Sequence, residues 1–241
     1  GLFAYLAIAQ PGALLSFGLV LFIWVFSLTL HEFSHAAVAY MGGDYTVKDK
    51  GYLTFNPLKY THPLLSIILP LVFLALGGIG LPGGAVYIEK HRLRSPWWAT
   101  AVSLAGPASN LLMAALLAIP FAVGLLEVPN IQAYIFFGSP DDVRIEAALA
   151  FSILLQFTAV VLNLLPIPPL DGFQALAPWI PQHIVQQAFS FGFLPLLLLF
   201  FMFSVPSFAN PFWDQIEQMM DWVSVPYWLA LEGLDMFRFW N

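Results

Sequence analysis

The stretch HEFSH, His31 to His35, places two imidazoles and a carboxylate inside an otherwise largely apolar run. On a helix His31 and His35 are i and i+4, so both rings lie on one face, one turn apart. That spacing lets one nitrogen from each reach a single Zn²⁺ at about 2.0–2.1 Å. Glu32 sits beside the first histidine and is placed to act as general base on a water activated there. Two histidines leave zinc short of a protein ligand. Asp171 is the only formal charge between Ala147 and Trp213 and is the obvious third. Three protein ligands with one position open is the pattern of a catalytic zinc site.

The composition says what must position these groups. Of 241 residues, 60% are hydrophobic and only 9% charged, and the mean hydropathy is +0.81. A soluble domain carries about 25% charged residues, so this is a multi-pass membrane protein. No basic block of the kind that binds nucleic acid is present. The absence of cysteine excludes disulfides and thiolate ligands. Glu32 is the first formal charge in the chain. An ionisable residue within a span costs about 2.5–3.5 kcal/mol on insertion scales. A bare H-E-x-x-H is weak evidence in a soluble protein, where it arises by chance. Inside a spanning helix, that cost argues for a metal site.

Four apolar stretches read as spanning helices: Gly12–Met41, ended by Gly42-Gly43; Trp97–Leu126, started by Ser95-Pro96; Ile145–Leu165, stopped by Pro166, Pro168 and Pro169; and Val185–Val205. The prolines should hold an extended backbone that presents Asp171 sideways to the metal. The tail, Asn210–Asn241, reads as amphipathic helix at the interface, with room for one more short span. Tyr45–Tyr60 is polar and partly alternating and suits a short β-hairpin or extended segment. Pro63–Ile88 is apolar but broken by Pro70, several glycines and Pro82-Gly83-Gly84, which suits a re-entrant segment covered by protein. The expected fold is an all-α polytopic membrane protein, one domain over residues 1–241. Its three-helix catalytic core spans about 12–172, and further helices occupy about 183–241. His62, His91 and His183 lie at loop ends or among charges and read as interfacial, solvated or capping residues.

HEFSH together with NLLPIPPLDG, Asn163 to Gly172, resembles the site-2 protease family of intramembrane zinc metalloproteases. AGPASN, Ala105 to Asn110, resembles that family's G-P-x-x-N helix. GYLTFNPLKYTHP, Gly51 to Pro63, is similar to the G-x-L-T-x-N-P segment of its short bacterial and archaeal members, which lack PDZ and CBS domains. Ser34 stands where the family commonly has Gly. The resemblance implies that His31, His35 and Asp171 bind one zinc, that Glu32 is the catalytic base, and that Asn163 helps hold the substrate or the oxyanion. A neutral amide donor in that role is often worth ~2.7–4 kcal/mol. The alternative for Asn163 is a cap at its helix end. Asn110 is expected to cross-link helices by hydrogen bonds, with Gly106 and Pro107 structural beside it.

The function so implied is hydrolysis of a peptide bond within or near a transmembrane helix of a substrate protein, as in regulated intramembrane proteolysis. The partners are that substrate and the lipid bilayer. A substrate helix must open before cleavage; Leu53, Thr54 and Phe55 could offer it an edge for strand addition. The alternatives are a metal or proton transporter with a midplane zinc site, and a catalytically dead scaffold. No internal repeat supports the transporter, and Glu32 speaks against the scaffold.

His31 and His35 lie near the C-terminal end of the first span, and Asp171 follows the C-terminal end of the Ile145–Leu165 span. Both helices must therefore end on one side, with a single crossing between them. Trp97–Leu126 supplies it, so Pro63–Ile88 should dip in and return. Lys48, Lys50 and Lys59 precede that segment and Lys90, Arg92 and Arg94 follow it, six of the eight basic residues. The positive-inside rule places both clusters, and the active site near them, toward the cytoplasm. The loop with Glu127, Asp141 and Asp142 then faces outward. Single cysteines at Thr61 and Ser95 should label from one side and one at Ser139 from the other. Opposite labelling of Thr61 and Ser95 would refute the re-entrant segment.

Overall fold

The computed structural model describes residues 11–56, 59, 86–130, 132, 144–192 and 194–238. Among them helix dominates. α1 spans Pro11–Gly42, the one-turn α2 Thr46–Asp49, α3 Pro96–Ala122 and α4 Arg144–Asn163. α5 (Asp171–Leu176), α6 (Gln182–Ser190), α7 (Leu194–Phe203), α8 (Pro206–Trp222) and α9 (Tyr227–Phe237) follow. Three stretches are long and apolar enough to cross a membrane: Leu14–Gly42, Pro96–Ala122 and Ile145–Asn163. They match three of the four expected spans to within a few residues. Helix is the form that satisfies every backbone polar group within its own segment, as lipid requires. α1 stops where Gly43 takes φ +116°, a left-handed value that suits glycine, and Asp44 N–H closes back onto the Ala39 carbonyl at 2.9 Å.

The fourth expected span, Val185–Val205, is not one helix. The chain turns after Ser190, where Gly192 has φ +57°, and resumes as the ten-residue α7. At ~1.5 Å per residue that is about 15 Å, half of a ~30 Å hydrocarbon core. The tail is helical as expected. Phe212, Ile216, Met219 and Met220 are all buried, an i, i+4, i+7, i+8 stripe along α8.

The hairpin expected over Tyr45–Tyr60 is also corrected: no strand forms among its described residues. The Asp44 carboxylate accepts from the Thr46 N–H at 3.1 Å and its hydroxyl at 2.6 Å, which starts the helical turn of α2. Tyr52 N–H then reaches back to the Val47 carbonyl at 2.9 Å, and Thr54 Oγ1 donates to the Gly51 carbonyl. Leu53, Thr54 and Phe55 thus sit in a turn rather than an edge strand. Most of the expected re-entrant segment, with His62, Asp141 and Asp142, lies outside the described residues.

The chain forms two compact units. One comprises Gly1–Phe26, Leu112–Phe157 and Gln215–Asn241; the other comprises Ser27–Leu111 and Thr158–Asp214. In the first, Phe237 is 2% exposed and its ring lies 5.0 Å from that of Phe17 and 5.8 Å from that of Phe151. In the second, Ala36, Ala39, Val47 and Val102 form a small-residue core, with Tyr52, Leu53, Val86, Ile88 and Leu93 packed on it.

A Cβ on Gly233 would collide with the backbone carbonyl of Ala147. Overpacking of this kind costs ~1–3 kcal/mol. Gly233→Ala should therefore lower the Tm of the detergent-solubilised protein measurably, and an unchanged Tm would mean that α9 does not pack on Ala147 in this way.

Candidate metal centre

The second unit brings the sequence-predicted residues together. The i, i+4 spacing within α1 puts His31 and His35 on one face, with ring centroids 4.7 Å apart. Each ring is then fixed by its Nδ1. His31 Nδ1 lies 2.6 Å from Asn110 Oδ1, and His35 Nδ1 lies 2.6 Å from the Val102 carbonyl oxygen. Both partners are acceptors, so both rings carry their proton on Nδ1. The Asn110 amide is itself oriented, since its Nδ2 donates to Ser27 Oγ at 3.1 Å. The cross-link expected of Asn110 is present, and it ends on an imidazole.

The two Nε2 atoms therefore face each other with lone pairs only, 3.1 Å apart. Asp171 completes a triangle: its Oδ2 is 3.3 Å from His31 Nε2 and its Oδ1 3.5 Å from His35 Nε2. Oδ2 is buried without a hydrogen-bond partner among the described residues. Tetrahedral zinc with bonds of ~2.0–2.1 Å needs donors about 3.3–3.4 Å apart. Two imidazoles and a carboxylate at 3.1–3.5 Å fit that ion, and His31, His35 and Asp171 form a group that could hold a metal.

Backbone packing sets the position of Asp171. α4 ends at Asn163, and the chain turns twice, with Ile167 N–H on the Leu165 carbonyl and Leu170 N–H on the Ile167 carbonyl, both at 2.8 Å. The extended backbone expected before the ligand is seen at Leu170, at φ −62°, ψ 159°, between these turns and Asp171. Asp171 opens α5. Gly172 is required there because a Cβ would run into the Leu164 carbonyl. α5 is held to α3 by Thr100 Oγ1, which donates to the Ala175 carbonyl at 2.8 Å. Trp179 Nε1 donates to the same hydroxyl at 2.9 Å.

Gly106 has a sharper role than the structural one expected of it. A Cβ there would meet His31 Nε2 at 2.5 Å, and His35 Nε2 closer still. The bare backbone of α3 is the floor on which both imidazoles rest. Pro107, beside it, is buried.

Glu32 is 4% exposed. Its Oε2 accepts the Val86 N–H at 3.0 Å. Glu32 and His35 line a cavity of about 350 Å³ with Val86, Ile88, Ser103, Gln174 and Phe189 among its walls. Val86 contributes a backbone N–H, which its residue type does not announce. Asp44, fully buried, holds the same segment by accepting the Glu89 N–H at 2.8 Å. The Glu89 carboxyl is held down to about 2 by Arg92 and Lys50, at 2.5 and 3.0 Å.

The other expected residues are not part of the donor triangle. Asn163 is buried at the end of α4 and makes no hydrogen bond to the cluster among the described residues. Phe55 is exposed and stacks on Phe33. His91 and His183 are exposed, and neither joins the triangle.

Replacing Asn110 by Leu removes the acceptor that fixes His31 while keeping side-chain bulk. Loss of such a partner costs ~10–100-fold in metal affinity. Chelator competition on the purified protein should show that fall with helix content unchanged; full retention of affinity would mean that Asn110 does not orient the ligand.

The model of peptidase family M50 matches residues 18–204. The chain is 42% identical over 233 residues to a candidate zinc metalloprotease, Rip2 of Mycolicibacterium smegmatis, covering 93% of this chain and 82% of that one. It is 42% identical over 228 residues, at the same coverage, to Rip2 of Mycobacterium tuberculosis. It is 34% identical over 185 residues to YwhC of Bacillus subtilis, a protein of the same description, covering 73% and 77%. No solved structure matches. A donor set suited to zinc, a carboxylate beside it and the family match over most of its length agree: the chain belongs to peptidase family M50, whose metalloprotease chemistry is the one its site was built to perform.

Proposed function

We propose that this zinc metalloprotease is an intramembrane endopeptidase that hydrolyses a peptide bond within or near a transmembrane helix of a substrate protein. One observation carries the reading. The donor triangle of His31, His35 and Asp171, with Glu32 adjacent, includes three groups from a helix long and apolar enough to span the bilayer. A soluble protease would have no reason to meet the insertion cost of these groups.

Zinc held by His31, His35 and Asp171 would polarise the scissile carbonyl and bring the pKa of a bound water toward ~7. The chain's own groups do the rest. Glu32, held by the Val86 N–H through Oε2, takes a proton from the attacking water and returns one to the leaving amine nitrogen. The C–N bond breaks, the carbonyl carbon keeps the water oxygen, and the carboxylate is restored. The buried surroundings of Glu32 exclude bulk water, which strengthens each of these interactions. The cavity beside Glu32 and His35 has room for substrate side chains next to the reacting bond. The basic clusters at Lys48–Lys59 and Lys90–Arg94 support an orientation with this site toward the cytoplasm.

Glu32→Gln keeps the size and hydrogen-bonding reach of the side chain but cannot take a proton. Loss of general-base catalysis should reduce cleavage of a reconstituted single-pass substrate ~10²–10⁴-fold, with about one zinc per chain retained by metal analysis. Cleavage at the wild-type rate would move the base elsewhere.

A further inference from the structure

A second cavity of about 570 Å³ lies at the start of α3. Lys90, His91, Arg94, Ser95, Pro178 and Gln182 are among its walls, with no carboxylate among its described lining residues; Lys90 also lines the cavity beside Glu32. We propose that it binds a phosphate-bearing anion, the headgroup of an acidic phospholipid.

Charge is the first argument. Glu89, next to Lys90 in the chain, is already engaged by Lys50 and Arg92. Lys90 Nζ donates to the neutral Gln174 amide, and among the described residues the Arg94 guanidinium donates to the Tyr45 hydroxyl at 3.5 Å. Among the described residues, neither cation meets a carboxylate. Arg94 offers the planar fork that suits phosphate oxygens. α3, 27 residues long, begins at the cavity wall with Pro96 and adds the positive end of its dipole.

Depth is the second argument. Trp97 is 71% exposed and Trp179 49% exposed. Their rings meet edge to face with centroids 4.5 Å apart. Exposed tryptophans of this kind mark the headgroup level of a bilayer. From Trp97 the exposed residues Ala101, Leu104 and Ala108 continue down one face of α3, an i, i+4, i+7, i+11 stripe. A lipid has both parts that this arrangement offers to receive: an anion for the basic cavity and an acyl chain for the stripe. An acidic peptide has only the first. Basic pockets beside spanning helices are a known form of headgroup site.

The test is calorimetric titration of the full chain in neutral detergent with sub-micellar dihexanoyl phosphatidylglycerol, dihexanoyl phosphatidylcholine, inorganic phosphate and hexaglutamate. Saturable binding of the phosphatidylglycerol with no comparable phosphatidylcholine signal is the expected result. Arg94→Gln, at an exposed position that leaves the core intact, should weaken it about fivefold, and Lys90→Gln with Arg94→Gln about 25-fold. Inorganic phosphate binding as tightly as the lipid, with the same sensitivity to the variants, would uphold a phosphate site and assign its source to the free ion. Equal binding of both lipids, affinity indifferent to Arg94→Gln, or a response to hexaglutamate alone would overturn the proposal.

Discussion

Two imidazole nitrogens that both present lone pairs repel one another, and at 3.1 Å in a buried site little water is present to relieve it. A carboxylate oxygen without a hydrogen-bond partner stands beside them. Only a cation satisfies all three at once, and much of the second unit serves to keep them together. The Val102 carbonyl and Asn110 lock the ring tautomers from α3. The missing Cβ of Gly106 lets α3 approach the rings, and the missing Cβ of Gly172 lets the turn after α4 close on α5. A one-carbon addition at either glycine would push on a ligand or on the backbone that carries one.

Asp171 is the more demanding of the ligands to place, because it does not share a helix with the histidines. No spanning helix carries it, whereas α1 carries both histidines. The chain instead leaves α4, satisfies its polar groups in two tight turns and begins a new helix at the ligand itself. α5 is only six residues long and has little stability of its own. The bonds that Thr100 makes to Ala175 and Trp179 dock it on α3, which makes α3 a common reference for all three donors.

Much of this was legible in the sequence, and for identifiable reasons. Charges are so scarce in the spans that Glu32 and Asp171 stood out, and helical spacing alone put His31 and His35 on one face. Three spans were readable because lipid imposes a minimum apolar length. The fourth failed because hydropathy registers composition and not the turn at Gly192. The hairpin failed because partial alternation was outweighed by one side chain, Asp44, that captures the next turn. Gly106 was seen as a small residue, but its position beneath two imidazoles depends on how α3 crosses α1. Val102 and Val86 were invisible in principle, since they act through backbone atoms that every residue has.

The Val86 N–H on Glu32 comes from a segment with no donor to the metal triangle. The imidazoles and the Glu32 carboxylate are therefore oriented by hydrogen bonds from different parts of the chain. The ligands are fixed by α3 and α5, while the carboxylate is aimed by the stretch from Val86 to Glu89, itself moored at Asp44 and Lys50. If Glu32 is the base proposed above, a pull on that stretch would act first on the proton transfer and not on the hydrogen bonds that orient the histidines. On that reading loading and activity would be separable, and a chain could hold its ion and still be idle.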